Sequence, residues 1–181
     1  MRPVAPASDL RAYRALRTAI RAFRPDVVHT HSSKAGILGR LAARLEHVPA
    51  VVHTVHGFGF TPLQRPPVRW AFRMAERLAA RWTDHFITVS DADRRRGVAL
   101  GLFAPEQSSV IRAAIDLPRF RAATGGDEVR RRLGIPAQAP VVTQVGNFKP
   151  QKAPLDFVQV ASGLGPRFPE ARFVMVGDGP L

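Results

Sequence analysis

"PDVVHTHSSKAGILGRLAARL", residues 25–45, is the stretch whose reading decides the fold. Residues 26–31, "DVVHTH", are a short run with three β-branched residues that reads as a strand, whereas 35–47 carry a helical period, with "HTHSSKAG" (29–36) as the loop between them. A strand that runs through such a turn into a helix is half of a βαβ unit, and βαβ units build parallel sheets.

The same rhythm extends outward. Upstream, Leu10, Tyr13, Leu16, Ile20 and Phe23 recur at steps of three and four, which predicts a helix from a cap at Asp9 to about Arg24, ended by Pro25. Downstream, strands are expected at 50–56 ("AVVHTVH"), 85–90 ("HFITVS") and 108–113, with helices at about 67–82 and from Asp91. A stretch rich in Pro, Gly and Thr, 114–126, reads as a linker. The rhythm then restarts with a helix near 127–133, a strand at 140–146, a helix at 154–164 and a strand at 171–177. The expected fold class is α/β, two Rossmann-like domains with parallel sheets, over 1–113 and 127–181. Two strands with two open edges make the second unit thin, so the sequence is expected to be a piece of a longer protein.

Composition narrows the functions. The 181 residues are 45% hydrophobic and 23% charged, ordinary for a globular chain. No run of eighteen apolar residues and no secretion signal is visible, so a cytoplasmic location is expected. With no Cys, disulfides and thiolate metal sites are excluded. The net charge of +13 comes mostly from arginine, and the first 120 residues hold 19 of the 27 bases but 9 of the 14 acids. Such a field favours polyanions: nucleic acid, anionic lipid or phosphorylated substrates.

In open α/β sheets ligands bind beyond the carboxyl ends of the strands, which nominates four loops. In 29–36, Ser32, Ser33 and Lys34 open a helix and offer hydroxyls, a cation and helix N–H groups to an anion; a plain helix cap with a solvated lysine is the other reading. His29 and His31 share one strand face, but supporting carboxylates are missing and no metal site is expected. In "HGFGF" (56–60), His56 closes a strand before Gly57 and Gly59, which allow close backbone approach, and Phe58 and Phe60 supply an apolar wall. A histidine hydrogen-bonded under a loop is the alternative. In "GNFKPQK" (146–152), Gly146 ends a strand, Lys149 and Lys152 are cations, and Pro154 suits the next helix's first turn: together a site for a diphosphate. It is not a Walker loop. "GDGP" (177–180) is by itself a turn.

Six segments, "PDVVHTHSSKAGILGRLAARL", "VVHTVHGFGF", "FITVSDADRR", "VIRAAIDLPRF", "VGNFKPQKAPLDF" and "ARFVMVGDGPL", together resemble the family 4 retaining glycosyltransferases of the GT-B fold, in the family's order. The resemblance implies a nucleotide-diphosphate sugar as donor, with no cofactor and no metal. It also implies a hydroxyl acceptor, lipid-linked in many relatives, and reaction between the two domains with retention of configuration. It places His56 near the transferred sugar as the catalytic histidine, with His31, Ser33, Lys34, Gly57 and Phe58 on the acceptor side. The donor diphosphate falls to Gly146, Asn147, Lys149 and Lys152, and the nucleotide to Gly177, Asp178 and Gly179. Asn147 stands where the family usually has arginine. The family's Glu-x7-Glu segment and its usual first strand with a glycine-rich loop are absent, so the N-terminal domain is expected to lack its first strand region, the C-terminal domain to be truncated, and this chain to be inactive alone.

Arg65, Arg69, Arg73, Arg77 and Arg81 form a stripe on one predicted helix, but no nucleic-acid motif accompanies it and no nucleic-acid partner is expected. Trp70, Met74 and Leu78 beside the stripe suit peripheral contact with anionic membrane; a core-facing helix with a solvated basic side is the plainer account. A non-catalytic nucleotide-sugar-binding remnant and a nucleotide-sugar epimerase of the same fold are the remaining alternatives.

Overall fold

The computed structural model describes residues 5–62 and 64–181, in two compact units, 1–115 and 116–181. In the first unit, strands β1 (Val27–His31), β2 (Ala50–Val55), β3 (His85–Thr88) and β4 (Ser108–Val110) form one parallel sheet in the order β1-β2-β3-β4. The helices are α1 (Pro6–Phe23), α2 (Ser33–Leu45), α3 (Pro66–Ala80) and α4 (Asp91–Ala99). Every strand is thus parallel to its neighbour, as the alternation of β-branched runs with helical periods demanded.

Helix α1 begins three residues before the predicted cap. Pro6 occupies the first helical position, where its missing N–H costs nothing, and Asp9 reaches back to accept the Ala5 N–H from within the helix. Arg24 in the left-handed conformation ends it before Pro25. Helix α4 has the cap its sequence promises: Ser90 Oγ accepts the Asp93 N–H.

The core of this unit is Val55, Phe60, Phe86, Leu102 and Phe103, with Phe86 stacked on Phe103 at 4.5 Å between centroids. Gly97 of α4 lies so close to the Phe103 ring that a Cβ there would come within 2.1 Å of it, which is how α4 reaches the sheet. Two charges are also buried. Arg40 of α2 is fully enclosed, with Nη2 2.7 Å from Glu76 Oε2 of α3 and Nε donating to the Gly36 carbonyl, so one guanidinium ties α2 to α3.

The second unit carries α5 (Leu117–Arg121), α6 (Gly126–Arg132), α7 (Pro154–Leu164) and two parallel strands, β5 (Val141–Val145) and β6 (Arg172–Val176). The stretch 114–126, read as linker, holds the whole of α5, because Asp116 caps it by accepting the Arg119 N–H and Pro118 suits its first turn. Much of the unit's apolar surface is exposed, including Val145, Leu155, Val158, Val160 and Val176.

Candidate functional site

In the first unit, the site is built by the ends of β1 and β2 and the start of α2. Ser32 turns the chain with φ +65°, a conformation uncommon outside glycine, and Ser33 opens the helix; the Ser32 side chain makes no cap bond. Lys34 is committed to a partner: its Nζ lies 2.7 Å from Asp9 Oδ1, joining α1 to the first turn of α2. That contact holds the Asp9 carboxyl below its ordinary range.

His31 and His56 stand together at the sheet's carboxyl edge, His31 Nδ1 3.0 Å from His56 Nε2. His29 lies 4.3 Å from His31 by ring centroids, and its Nε2 is 2.7 Å from Thr54 Oγ1. Burial, reinforced by its two neighbouring imidazoles, pulls His29 below the ordinary histidine value. His53 points to the other face and is buried against Phe86, with Nδ1 2.9 Å from Thr30 Oγ1. Burial, then the Arg40 charge, pushes its pKa down to about 3, so it is neutral in the folded protein. Gly36 makes room for it, since a Cβ there would come within 2.5 Å of the His53 ring. Among the described residues no group of three or more His, Asp or Glu is arranged to hold a metal ion.

The loop after β2 is braced from outside. Gly57 has φ +104°, and a Cβ there would meet nothing within 4 Å, so glycine serves the turn rather than the packing. Phe60 belongs to the core, 3% exposed, and Phe58 stacks on it at 5.2 Å; the apolar wall expected of both rings is therefore one half-buried ring, Phe58. Arg96 of α4 lies 5.5 Å from both ring centroids and its Nη2 meets the Phe60 carbonyl at 3.5 Å. Ser32, Ser33, Thr54, His56, Gly57 and Glu76 line one small pocket, which brings the two predicted loops of this unit together.

In the second unit, the other two loops lie against each other. Gly146 N–H donates to the Val176 carbonyl at 2.9 Å and Phe148 N–H to the Asp178 carbonyl at 2.6 Å, while Leu181 N–H returns to the Phe148 carbonyl at 3.2 Å. "GDGP" is thus more than a turn. A Cβ on Gly177 would sit 1.8 Å from the Gly146 carbonyl oxygen, and one on Gly179 would sit 2.3 Å from that of Phe148. Lys149 precedes and Lys152 ends a 3₁₀ turn, Pro150–Lys152, that leads through Ala153 into α7. Gln144 of β5 donates to the Lys152 carbonyl at 3.1 Å and steadies that turn. Asn147 is exposed on the same loop.

Sequence reasoning did not find Arg40, Glu76, Thr54 or Arg96. "DADRRRG" offers three arginines in a row, and only the α4 geometry selects the one that reaches the rings. Arg40 and Glu76 lie 36 positions apart, so no local spacing could pair them.

Both units carry their candidate loops beyond the carboxyl ends of parallel strands, where ligands of open α/β sheets bind. The chain belongs to glycosyltransferase family 4, whose model matches residues 2–119, and its fold class is GT-B. It is 39% identical over 176 residues to the UDP-Gal:alpha-D-GlcNAc-diphosphoundecaprenol alpha-1,3-galactosyltransferase of Escherichia coli, covering 96% of this chain and 46% of that protein. It is 32% identical over 139 residues to a D-inositol 3-phosphate glycosyltransferase of Kineococcus radiotolerans, covering 71% and 31%. Among solved structures, Anabaena HepE in complex with UDP and glucose superposes with a TM-score of 0.74 at 21% identity, covering 99% of this chain and 46% of that one. The UDP-GlcNAc 2-epimerase of Neisseria meningitidis gives 0.60 at 14%, with 98% and 50% covered, a likeness of fold alone. The chain spans about half the length of the curated relatives it matches first.

Proposed function

We propose that this chain is part of a glycosyltransferase that moves a sugar from a UDP-sugar to a hydroxyl acceptor carried on a lipid diphosphate, with retention of configuration. The observation that carries the reading is the loop pair of the second unit: 146–148 is hydrogen-bonded to 176–178, with Lys149 and Lys152 on the turn before α7. Two cations and a helix N-terminus suit a diphosphate that gains negative charge as it leaves. Gly146, Asn147, Lys149 and Lys152 would hold that diphosphate, with Gly177, Asp178 and Gly179 beside the nucleotide. His56 would meet the transferred sugar, with His31, Ser33, Gly57 and Phe58 toward the acceptor. Lys34, paired with Asp9, would stand on the acceptor side as well.

The test is product analysis of the natural-length protein given UDP-sugars and a prenyl-diphosphate acceptor. A sugar transferred with retention supports the proposal. An epimerised donor would select the epimerase alternative, and a bound but unaltered donor the non-catalytic one; either overturns it.

A membrane-facing role for α3 is part of the same reading. Trp70 is 65% and Leu78 50% exposed beside Arg65, Arg69, Arg77 and Arg81, and no described helix is long and apolar enough to cross a membrane. An apolar face among arginines suits the surface of an anionic bilayer. Co-sedimentation with phosphatidylglycerol vesicles, lost in Trp70→Ser with Arg69→Gln, supports this; binding that ignores lipid charge overturns it.

A further inference from the structure

The ends of β1 and β2 bring three imidazoles into one row. Thr54 Oγ1 fixes His29 at 2.7 Å, the His29 ring lies 4.3 Å from that of His31, and His31 Nδ1 meets His56 Nε2 at 3.0 Å. We infer that His31 is a positioning residue for His56: its Nδ1 holds the His56 ring by Nε2 and couples the tautomer of His56 to its own.

A bond between two ring nitrogens needs one proton between them. If His31 Nδ1–H donates, His56 Nε2 accepts and the His56 proton must sit on Nδ1, so His56 presents a donor away from its partner. If His56 Nε2–H donates, its Nδ1 is bare and His56 presents an acceptor there. In either arrangement Nδ1 is the nitrogen left for a ligand, and the tautomer of His56 is coupled to that of His31. Two protonated rings would place two donors face to face and break the bond. Among the described residues, His29 on β1, His53 on β2, Arg40 of α2 and Glu76 of α3 also lie around this pocket, and Glu76 is already engaged by Arg40.

The positioning itself is independent of the transferase reading; only its bearing on the reaction rests on that reading. The first test is long-range 1H–15N spectroscopy of histidine ring nitrogens in the 181-residue chain above neutral pH. In the wild type His31 Nδ1 and His56 Nε2 should share one proton, one nitrogen protonated and the other bare; the His56 tautomer balance should shift in His31→Phe and return toward the wild type in His31→Asn, whose amide can rebuild a bond. Unchanged His53 signals report that each variant is folded. His56 shifts that ignore His31→Phe overturn the inference.

The second test uses the natural-length protein in the transfer assay. His31→Phe should lower kcat more than tenfold at unchanged KM for the donor, with recovery in His31→Asn; an unchanged kcat overturns the bearing on the reaction. If the ring-nitrogen result holds and the wild type transfers no sugar, the transferase reading fails and the positioning stands.

Discussion

The two units share one rhythm of strands and helices but differ in what their strands have beside them. In the first, β2 and β3 are each flanked on both sides, and Val51, Val55 and Phe86 are buried to within 5%. In the second, β5 and β6 have only each other, and Val145 of β5 is 76% exposed. Burial of apolar area contributes roughly 25 cal/mol per Å², so the same kind of residue stabilises one unit far more than the other. A period of two or 3.6 in a sequence says what an element is; it does not say how many neighbours it finds.

The difference can be broken most sharply from inside the first unit. Arg40→Met leaves the Glu76 carboxylate buried without its partner, a loss of about 3–5 kcal/mol for a broken buried pair. Amide exchange should therefore accelerate across α2, α3 and β2 while β5 and β6 keep their wild-type rates. Equal acceleration in both units would mean that they unfold together.

The converse change sits in the second unit. Gly179→Ala meets the Phe148 backbone and a φ of +158°, at a cost of about 1–3 kcal/mol for strain of this kind. Protection of the Phe148 amide should fall, and α2 and β2 should be untouched. If the Phe148 amide stays protected, the two loops are not held by the glycine contact.

Acid should also weaken the first unit. His53 has a folded pKa of about 3 against an ordinary 6.5, so below 6.5 the unfolded chain takes up a proton that the folded one refuses. The stability of the first unit is whole above that value and declines as pH falls toward 3, by at most about 1.4 kcal/mol per pH unit. His53→Gln should flatten this slope in denaturant titrations at successive pH values. Glu46, held below its ordinary range by hydrogen bonds from Arg21 and Arg17, acts in the same direction: its contribution, the seat of α1 on α2, is present above the ordinary carboxylate value and lost as pH falls through the depressed one. The smallest effect belongs to Arg96→Ala, which removes the cation beside the Phe58 and Phe60 rings at about 0.5–1 kcal/mol. It should loosen residues 57–60 and leave the sheet's exchange rates alone.

All six strands were legible in the sequence, since runs such as "VVHTH" and "FVMV" are β-branched or apolar and bounded by Gly or Pro. Their ends ran long by one to three residues, as at 89–90 after β3, where the chain bends and Ser90 already caps α4. Helix α5 was hidden because five residues, two of them arginine, give no period to read. The candidate loops were legible from strand-end logic alone. What joins them was not: the Asp9–Lys34 and Arg40–Glu76 pairs and the His31–His56 bond are contacts across 25 or more positions, and only the fold sets such distances.

The backbone-on-backbone seat of Gly177 and Gly179 divides the second unit's loops into two kinds for anyone building variant libraries. Positions 177 and 179 admit no side chain, so they form a fixed floor that every variant must share. Asn147 and Lys149 rise from the opposing loop with exposed or half-exposed side chains. Diversity is best introduced there, where a new residue alters what the loop offers without disturbing the floor beneath it.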